Sequence, residues 1–393
     1  MKNEEPLTNE TVRITLPRRR FLQQAGAGIG ALTMLGAPLA AVLCAGCVSG
    51  SSPQQVEGTR GDRDKSGQVR IGFSMDTLKE ERWQRDKREF EKRAAELGAE
   101  LTVQVANGDD KVQVQQCENM LTRGVDVLVV APHNGDVAAS IVEAAHRQGV
   151  PVISYDRLIR NSDVDLYLSF DNMRVGEMQA RYILERAPKG NYVLIEGSQS
   201  DNNARLYREG HMKVLRPAVE RGDIKIVVEQ WAREWLASEA LRYTEDALTR
   251  MGNDVVAVVA ANDGTAGGVI SAIEGRRLTG QVLVSGQDAE LPAVQRIVEG
   301  KQTMTVYKPI TMLARRAVEA AVALARGERV ETSTTVNNGR KDVPSILLDP
   351  IIVDKSNVTE TVVDDGYHKL EDVYRNVPRE QWPRAQAQTG GVS

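Results

Sequence analysis

The stretch "VRIGFSMDTLKEERWQRDKREFEKRAAELGAELTVQV", residues 69–105, passes from an apolar segment through a charged one and back to an apolar one. Its first seven residues read as a buried strand. Residues 81–97 set Trp83, Phe90 and Leu97 seven apart, the spacing of one helix face. Residues 101–105 read as a strand again. Strand, helix and strand in that order form a crossover between parallel neighbours, so the stretch predicts an open parallel sheet with helices packed on its faces.

The alternation continues outward. A helix to about residue 123, then "VDVLVV" (125–130), another helix and "PVISY" (151–155) complete one such sheet. The pattern restarts with "NYVLIEG" (191–197), "IKIVVEQ" (224–230), "VVAVVAA" (255–261) and "VLVSGQD" (282–288), each followed by a helix-compatible segment. Two similar doubly wound lobes are expected, and the roughly 325 residues after residue 68 suit two domains.

Ahead of the first strand, residues 47–68 are rich in Ser, Gln, Gly, Asp and Arg without apolar period and read as a flexible tether. Before them lies "PRRRFLQQAGAGIGALTMLGAPLAAVLCAGC" (17–47). Its uncharged run is long enough to span a bilayer, but it is made largely of Gly and Ala with Pro38 inside, so it reads as an export signal rather than an anchor. Arg18-Arg19-Arg20-Phe21-Leu22 resembles a twin-arginine signal. Cys44-Ala45-Gly46-Cys47 resembles a lipobox with Cys47 as the lipidated residue, although Cys44 stands where Leu is usual. Residues 1–46 are therefore expected to be removed, leaving a protein tethered outside the cytoplasm by a lipid on Cys47.

Composition excludes several classes. The net charge is −4, and loss of residues 1–46 removes five basic and three acidic side chains, which argues against a nucleic-acid partner. Beyond Cys44 and Cys47 the one other cysteine is Cys117, so a lipidated Cys47 leaves no internal disulfide. Four scattered histidines without a Cys/His cluster give no metal site. The first strand lacks a G-x-G-x-x-G turn, and no nucleophile, base and orienter set stands out, so neither an enzyme nor a cofactor is expected. A sugar-responsive regulator needs a basic helix-turn-helix ahead of the first lobe, and residues 48–68 are too short for one.

Open parallel sheets bind ligands beyond the carboxyl ends of their strands. The loops there read Asp76, "KEERW" (79–83), "YDR" (155–157), "SQSDNNAR" (198–205), "QWAREW" (230–235), "NDGTAGG" (262–268), "GQD" (286–288) and "TVYKP" (305–309). Carboxylates, amides and guanidinium groups pair with hydroxyls that donate and accept together, and flat indoles suit the C–H faces of a sugar ring. Each residue also has a structural reading. Trp83 can open the buried stripe of its helix, Asp156 and Arg157 can form a salt bridge, and Trp231 continues a strand. Asn203, Asn262 and Asp288 can cap helices, Lys308 can be a solvated charge, and Trp235 precedes a helix expected from Leu236.

The loops taken together, with "ANGDD" (106–110), "RGVDVLVVAPHNG" (123–135), "YLSFDN" (167–172), "SDNNARLYREGHMKVL" (200–215), "TMTVYKPI" (303–310) and "NNGRKDVPS" (337–345), carry a resemblance over residues 69–375. The chain resembles the periplasmic sugar-binding proteins of the ribose/galactose type, closest to those that bind D-xylose for a bacterial ABC transporter. The resemblance implies a type I periplasmic binding fold with lobe 1 at 69–172 plus 308–335, lobe 2 at 173–307 plus 336–375, and a disordered tail at 376–393. Crossings between the lobes are expected near 171–175, 302–309 and 335–345. It places a pentose between Trp83 and Trp235, reached by Arg82, Asp156 and Arg157 from lobe 1. Asp201, Asn203, Asn262 and Asp288 reach it from lobe 2, and Lys308 from the hinge, with Asn202 and Trp231 as second choices. It further implies a monomer that closes on its sugar without reaction and hands it to a permease and its ATPase. A sugar receptor for a chemotaxis or sensor kinase system is the alternative.

Overall fold

The computed structural model describes residues 67–383 together with a two-residue strand, β1 (Gln55–Val56). The expected export signal, Cys47, most of the tether and residues 384–393 lie outside the described residues. β1 pairs antiparallel with β12 (Val330–Glu331).

The first lobe begins with β2 (Arg70–Met75), α1 (Glu81–Glu96), β3 (Glu100–Val105), α2 (Asp110–Thr122), β4 (Val127–Val130), α3 (Ala139–His146), β5 (Val152–Tyr155) and β6 (Leu166–Phe170). Later segments complete it: α9 (Ile310–Ala325), β13 (Thr334–Asn337) and β14 (Asp342–Leu348). The sheet order is β13-β14-β6-β5-β4-β2-β3, parallel throughout except that β13 is antiparallel to β14. β4, β5 and β6 are buried along their whole length, because helices cover both faces of a central parallel strand. On one face Phe73 stacks on Phe90 of α1 at 4.0 Å, with Leu313, Ala317 and Ala321 of α9 in the same cluster. On the other face Cys117, Met120, Ile141 and Val142 from α2 and α3 pack together.

The second lobe comprises α4 (Asn172–Arg186), β7 (Gly190–Glu196), α5 (Asn202–Glu220), β8 (Ile224–Trp231), α6 (Ala237–Arg250), β9 (Ala257–Ala260), α7 (Asp263–Gly275), β10 (Leu283–Val284) and α8 (Leu291–Val298). Its parallel sheet runs β10-β9-β7-β8. β11 (Thr305–Tyr307) forms a separate antiparallel pair with β15 (Ile351–Val353).

The chain passes between the lobes at Asp171, at Lys308–Pro309 and at Asp349–Pro350. The last of these corrects the crossing expected within 335–345. Ser345 pairs with Tyr167 and Leu348 with Phe170, so residues 336–348 belong to the sheet of lobe 1 and not to lobe 2. The tail is also shorter than expected. Trp382 packs beside Tyr374 at 6.0 Å and its indole N–H donates to the Val377 carbonyl at 2.9 Å, which places residues 376–382 against lobe 2. "VLVSGQD" yields only Leu283–Val284 as strand, and the chain turns farther on at Asp288, where φ is 101°.

α4 and α5 lie against each other through two glycines. A Cβ on Gly176 falls 2.1 Å from the Tyr207 carbonyl oxygen, and one on Gly210 falls 2.3 Å from that of Met173. Backbone cannot yield as a side-chain tip can, so Gly210→Ala is expected to lower the unfolding free energy by about 1–3 kcal/mol. Urea denaturation checks this, and an unchanged midpoint with unchanged slope contradicts it.

Candidate functional site

Between the lobes, at the carboxyl ends of both sheets, lies a small, mostly polar cavity. All ten residues singled out from the sequence line it: Arg82, Trp83, Asp156, Arg157, Asp201, Asn203, Trp235, Asn262, Asp288 and Lys308. Glu80, Tyr207 and Gln287, which the sequence reading missed, line it too. Tyr207 follows Asn203 by four residues in α5, so the spacing of one helix face was a usable signal for it. Asn202 and Trp231 are not among the lining residues.

Several structural readings hold beside the functional ones. Trp83 is 2 % exposed and belongs to the core of lobe 1 while also walling the cavity. Asn262 caps α7, accepting from the Thr265 amide at 2.9 Å. The cap of α5 is Asp201, which accepts from the Asn203 amide at 2.9 Å, so Asn203 is not the cap. Asp288 caps no helix, since Glu290 occupies that position at α8. Trp235 closes a short 3₁₀ turn (Arg233–Trp235), and the following helix starts at Ala237. Lys308 is not solvated. It is 2 % exposed, with its ammonium 2.9 Å from Asp288 Oδ1.

The charges form two linked sets. Arg82 Nη1 donates to Asp156 Oδ2 at 2.8 Å and Nη2 to Asp86 Oδ2 at 3.2 Å, while Asp86 also accepts from the Tyr155 hydroxyl. Arg157 Nη1 donates to Asp76 Oδ2 at 2.6 Å, and its Nε lies 2.9 Å from Asp201 Oδ2 across the cleft. Asn203 Nδ2 reaches Asp156 Oδ1 at 3.1 Å, a second bond from lobe 2 to lobe 1. Burial pushes the Asp86 carboxyl up to about 6 against the pull of Arg82. Burial acts on Asp156 in the same direction, but Arg82 and Lys308 outweigh it and hold that carboxyl below the usual range. Asp201 stays raised by burial despite Arg157.

Three lining residues have left-handed backbones: Asp156 at φ 59°, Trp235 at 58° and Asp288 at 101°. Such conformations persist only where the surroundings over-determine them. The Asp156 carbonyl accepts from Ser169 Oγ at 2.6 Å and from the Tyr167 hydroxyl at 3.0 Å. The Trp235 indole lies so close on Gly197 that a Cβ there falls 2.0 Å from its ring. Among the buried lining atoms, Trp235 Nε1, Gln287 Oε1, Glu80 Oε2 and Asp288 Oδ1 have no hydrogen-bond partner within the protein, although the last lies 2.9 Å from the Lys308 ammonium. One donor and three acceptors therefore stand ready for a ligand's hydroxyls.

No group of three or more His, Cys, Asp or Glu among the described residues could hold a metal. No helix among them is long and apolar enough to cross a membrane.

Burial tends to raise Asp76, but Arg157 and His133, whose Nδ1 lies 2.9 Å away, hold it at about 2. A carboxyl held below its unfolded value stabilises the fold above about pH 4 and loses that contribution as pH falls through the folded value. Asp76→Asn is therefore expected to be less stable than the parent at neutral pH, with the gap closing between about pH 4 and 2. Urea titrations across that range check it, and a gap independent of pH contradicts it.

Comparison with known proteins gives the family. The family described as periplasmic binding protein domain matches residues 71–329. The D-xylose-binding periplasmic protein of Haemophilus influenzae is 52 % identical over 309 residues, covering 79 % of this chain and 93 % of that protein. Its counterpart of the same description in Escherichia coli is 52 % identical over 306 residues, covering 78 % and 93 %. A carbohydrate transporter solute-binding protein from Chloroflexus aurantiacus, solved in complex with D-glucose, superposes with a TM-score of 0.73 at 34 % identity, covering 78 % of this chain and 98 % of that one. The matched family and the identity over nearly the whole of these relatives show that the chain belongs to the periplasmic binding proteins of the ribose/galactose type.

Proposed function

We propose that this protein captures D-xylose between its lobes, outside the cytoplasm, and delivers it to the permease and ATPase of an ABC transporter. The observation that carries the reading is the convergence of ten polar and aromatic residues from both lobes on one cavity. The two close relatives supply the identity of the sugar.

In this reading Trp83 and Trp235 offer their indoles to the two faces of the ring. Arg82, Arg157 and Lys308 donate to its hydroxyls, Asp156, Asp201 and Asp288 accept from them, and Asn203 and Asn262 do both. Nothing reacts. Only the closed form touches the sugar from both sides, so binding shifts the population toward closure, and the closed surface is what the membrane partner reads. The protein acts as a monomer. Cys47, once lipidated, tethers it to the membrane through the segment that precedes β2.

Calorimetric titration with D-xylose, D-ribose, L-arabinose and D-glucose tests the assignment. Tight binding of D-xylose alone is expected, and Trp235→Ala is expected to weaken it by about 30-fold or more, the loss typical of a truncated buried aromatic anchor. A folded protein that binds none of the four, or a variant that binds as the parent does, contradicts the reading.

A further inference from the structure

Glu80, Arg157 and Trp235 wall the inner cavity on one side and border a second cavity on the other, lined in addition by Asp76, Lys79, His133, Ser198, Ser200 and Glu234. That second cavity shares His133, Ser198, Ser200 and Glu234 with a third, which Trp231 walls. The second space lies within the closed cleft. Lys79 Nζ from lobe 1 donates to the Glu234 carbonyl of lobe 2 at 2.6 Å, and the Gly135 amide donates to the Ser200 carbonyl at 3.3 Å, two bridges between residues along its margin.

Its lining identifies the ligand class. Asp76, Glu80 and Glu234 balance Lys79, Arg157 and His133, so the lining carries no excess positive charge to hold an anion, while Trp235 and Leu236 supply flat and aliphatic wall between the polar groups. Hydroxyls at Ser198 and Ser200, 3.0 Å apart, an imidazole, an ammonium and carboxylates offer the mixed donors and acceptors that hydroxyl-bearing rings require. Glu80 Oε2 and Trp235 Nε1, both buried and without a protein partner, belong to residues that border both cavities.

We infer that the second cavity is a subsite for a further sugar unit, so that the protein takes a pentose disaccharide as well as the free pentose. The inference rests on the D-xylose reading of the inner cavity. One ring occupies the inner site, the glycosidic link passes the neck formed by Glu80, Arg157 and Trp235, and the second ring lies between His133 and the two serines.

The test uses the full chain, with D-xylose and xylobiose, its β-1,4-linked dimer, as probes in calorimetry and saturation-transfer NMR. Xylobiose is expected to bind within about 10-fold of xylose, with saturation on both rings. Ser200→Phe, which fills the second cavity, is expected to weaken xylobiose by about 30-fold while leaving xylose within about 2-fold. The NMR arm needs no variant and decides the matter even if Ser200→Phe does not fold. Binding of xylose without xylobiose, saturation of one ring only, or equal loss of both sugars in the variant overturns the subsite. If neither sugar binds the folded protein, the xylose reading itself fails and the subsite falls with it.

Discussion

Among the ionisable side chains in or beside the cleft, Asp76, Arg82, Asp86, Asp156, Arg157, Asp201, Asp288 and Lys308 are each at most 6 % exposed. Removing an ion from water costs several kcal/mol, and the loss is offset only when an opposite charge stands at hydrogen-bond distance. Everything around the cleft is arranged to meet that condition. Arg82 finds Asp86 one helical turn away on α1, but its second partner, Asp156, comes from the end of β5, so helix and strand must hold a fixed register. Arg157 is divided between Asp76 in its own lobe and Asp201 in the other. The same ion pairs that make burial tolerable thereby couple the lobes. Opening the cleft hydrates these groups, and closing it requires that they meet one another or a ligand. A polyhydroxylated ligand can serve both the guanidinium and the carboxylate of such a pair without carrying charge itself.

Preorganisation follows from the same constraint. Asp156, Trp235 and Asp288 have backbone conformations that cost on the order of 1–3 kcal/mol each in isolation. They are stabilised by neighbours that do not face the ligand: Ser169 and Tyr167 beneath Asp156, Gly197 beneath Trp235, and the Val306 carbonyl, which accepts from the Asp288 amide at 2.8 Å. Folding rather than binding supplies that ordering, so less of the interaction with a sugar is lost to fixing side chains.

What could be read from the sequence follows the range of the interactions involved. The strands β2, β4, β5, β7 and β9 show as continuous apolar runs because each is covered on both sides, a local signature of a parallel sheet. β14 carries no such signature. It is partly exposed, contains Pro344, and owes its place to pairing with β6, so that Ser345 lies opposite Tyr167. Nothing near residue 340 announces that partner, and the sequence reading put 336–348 in the wrong lobe for that reason. At the cleft, loops at strand ends pointed to residues that line one cavity, and a structural role does not keep a residue from that wall. Trp83 is core and wall together, and Asn262 and Asp201 cap helices while lining the cavity. Lys308 was the hardest to place, because its burial depends on Asp288 and Tyr207, residues far from it in sequence.

In the proposed reading, discrimination among sugars rests on two different parts of this architecture. Within the inner cavity most polar atoms already bond one another, so a sugar lacking one hydroxyl leaves a buried group such as Gln287 Oε1 unpaired. That penalty is about 1–3 kcal/mol and rejects incomplete analogues sharply. A sugar with an added group meets a different test, since no inner contact need be lost if the addition finds space. The neck of Glu80, Arg157 and Trp235 adjoins space on its far side, and its polar atoms suit a hydroxyl better than a methyl. On that reading, selection against missing hydroxyls belongs to the inner set of charges and amides, and the proposed tolerance of larger ligands belongs to the neck. Arg157 and Trp235 belong to both sets, so the two are separable only at Glu80, which stands at the N-terminus of α1 and makes no hydrogen bond to any of the inner carboxylates or cations.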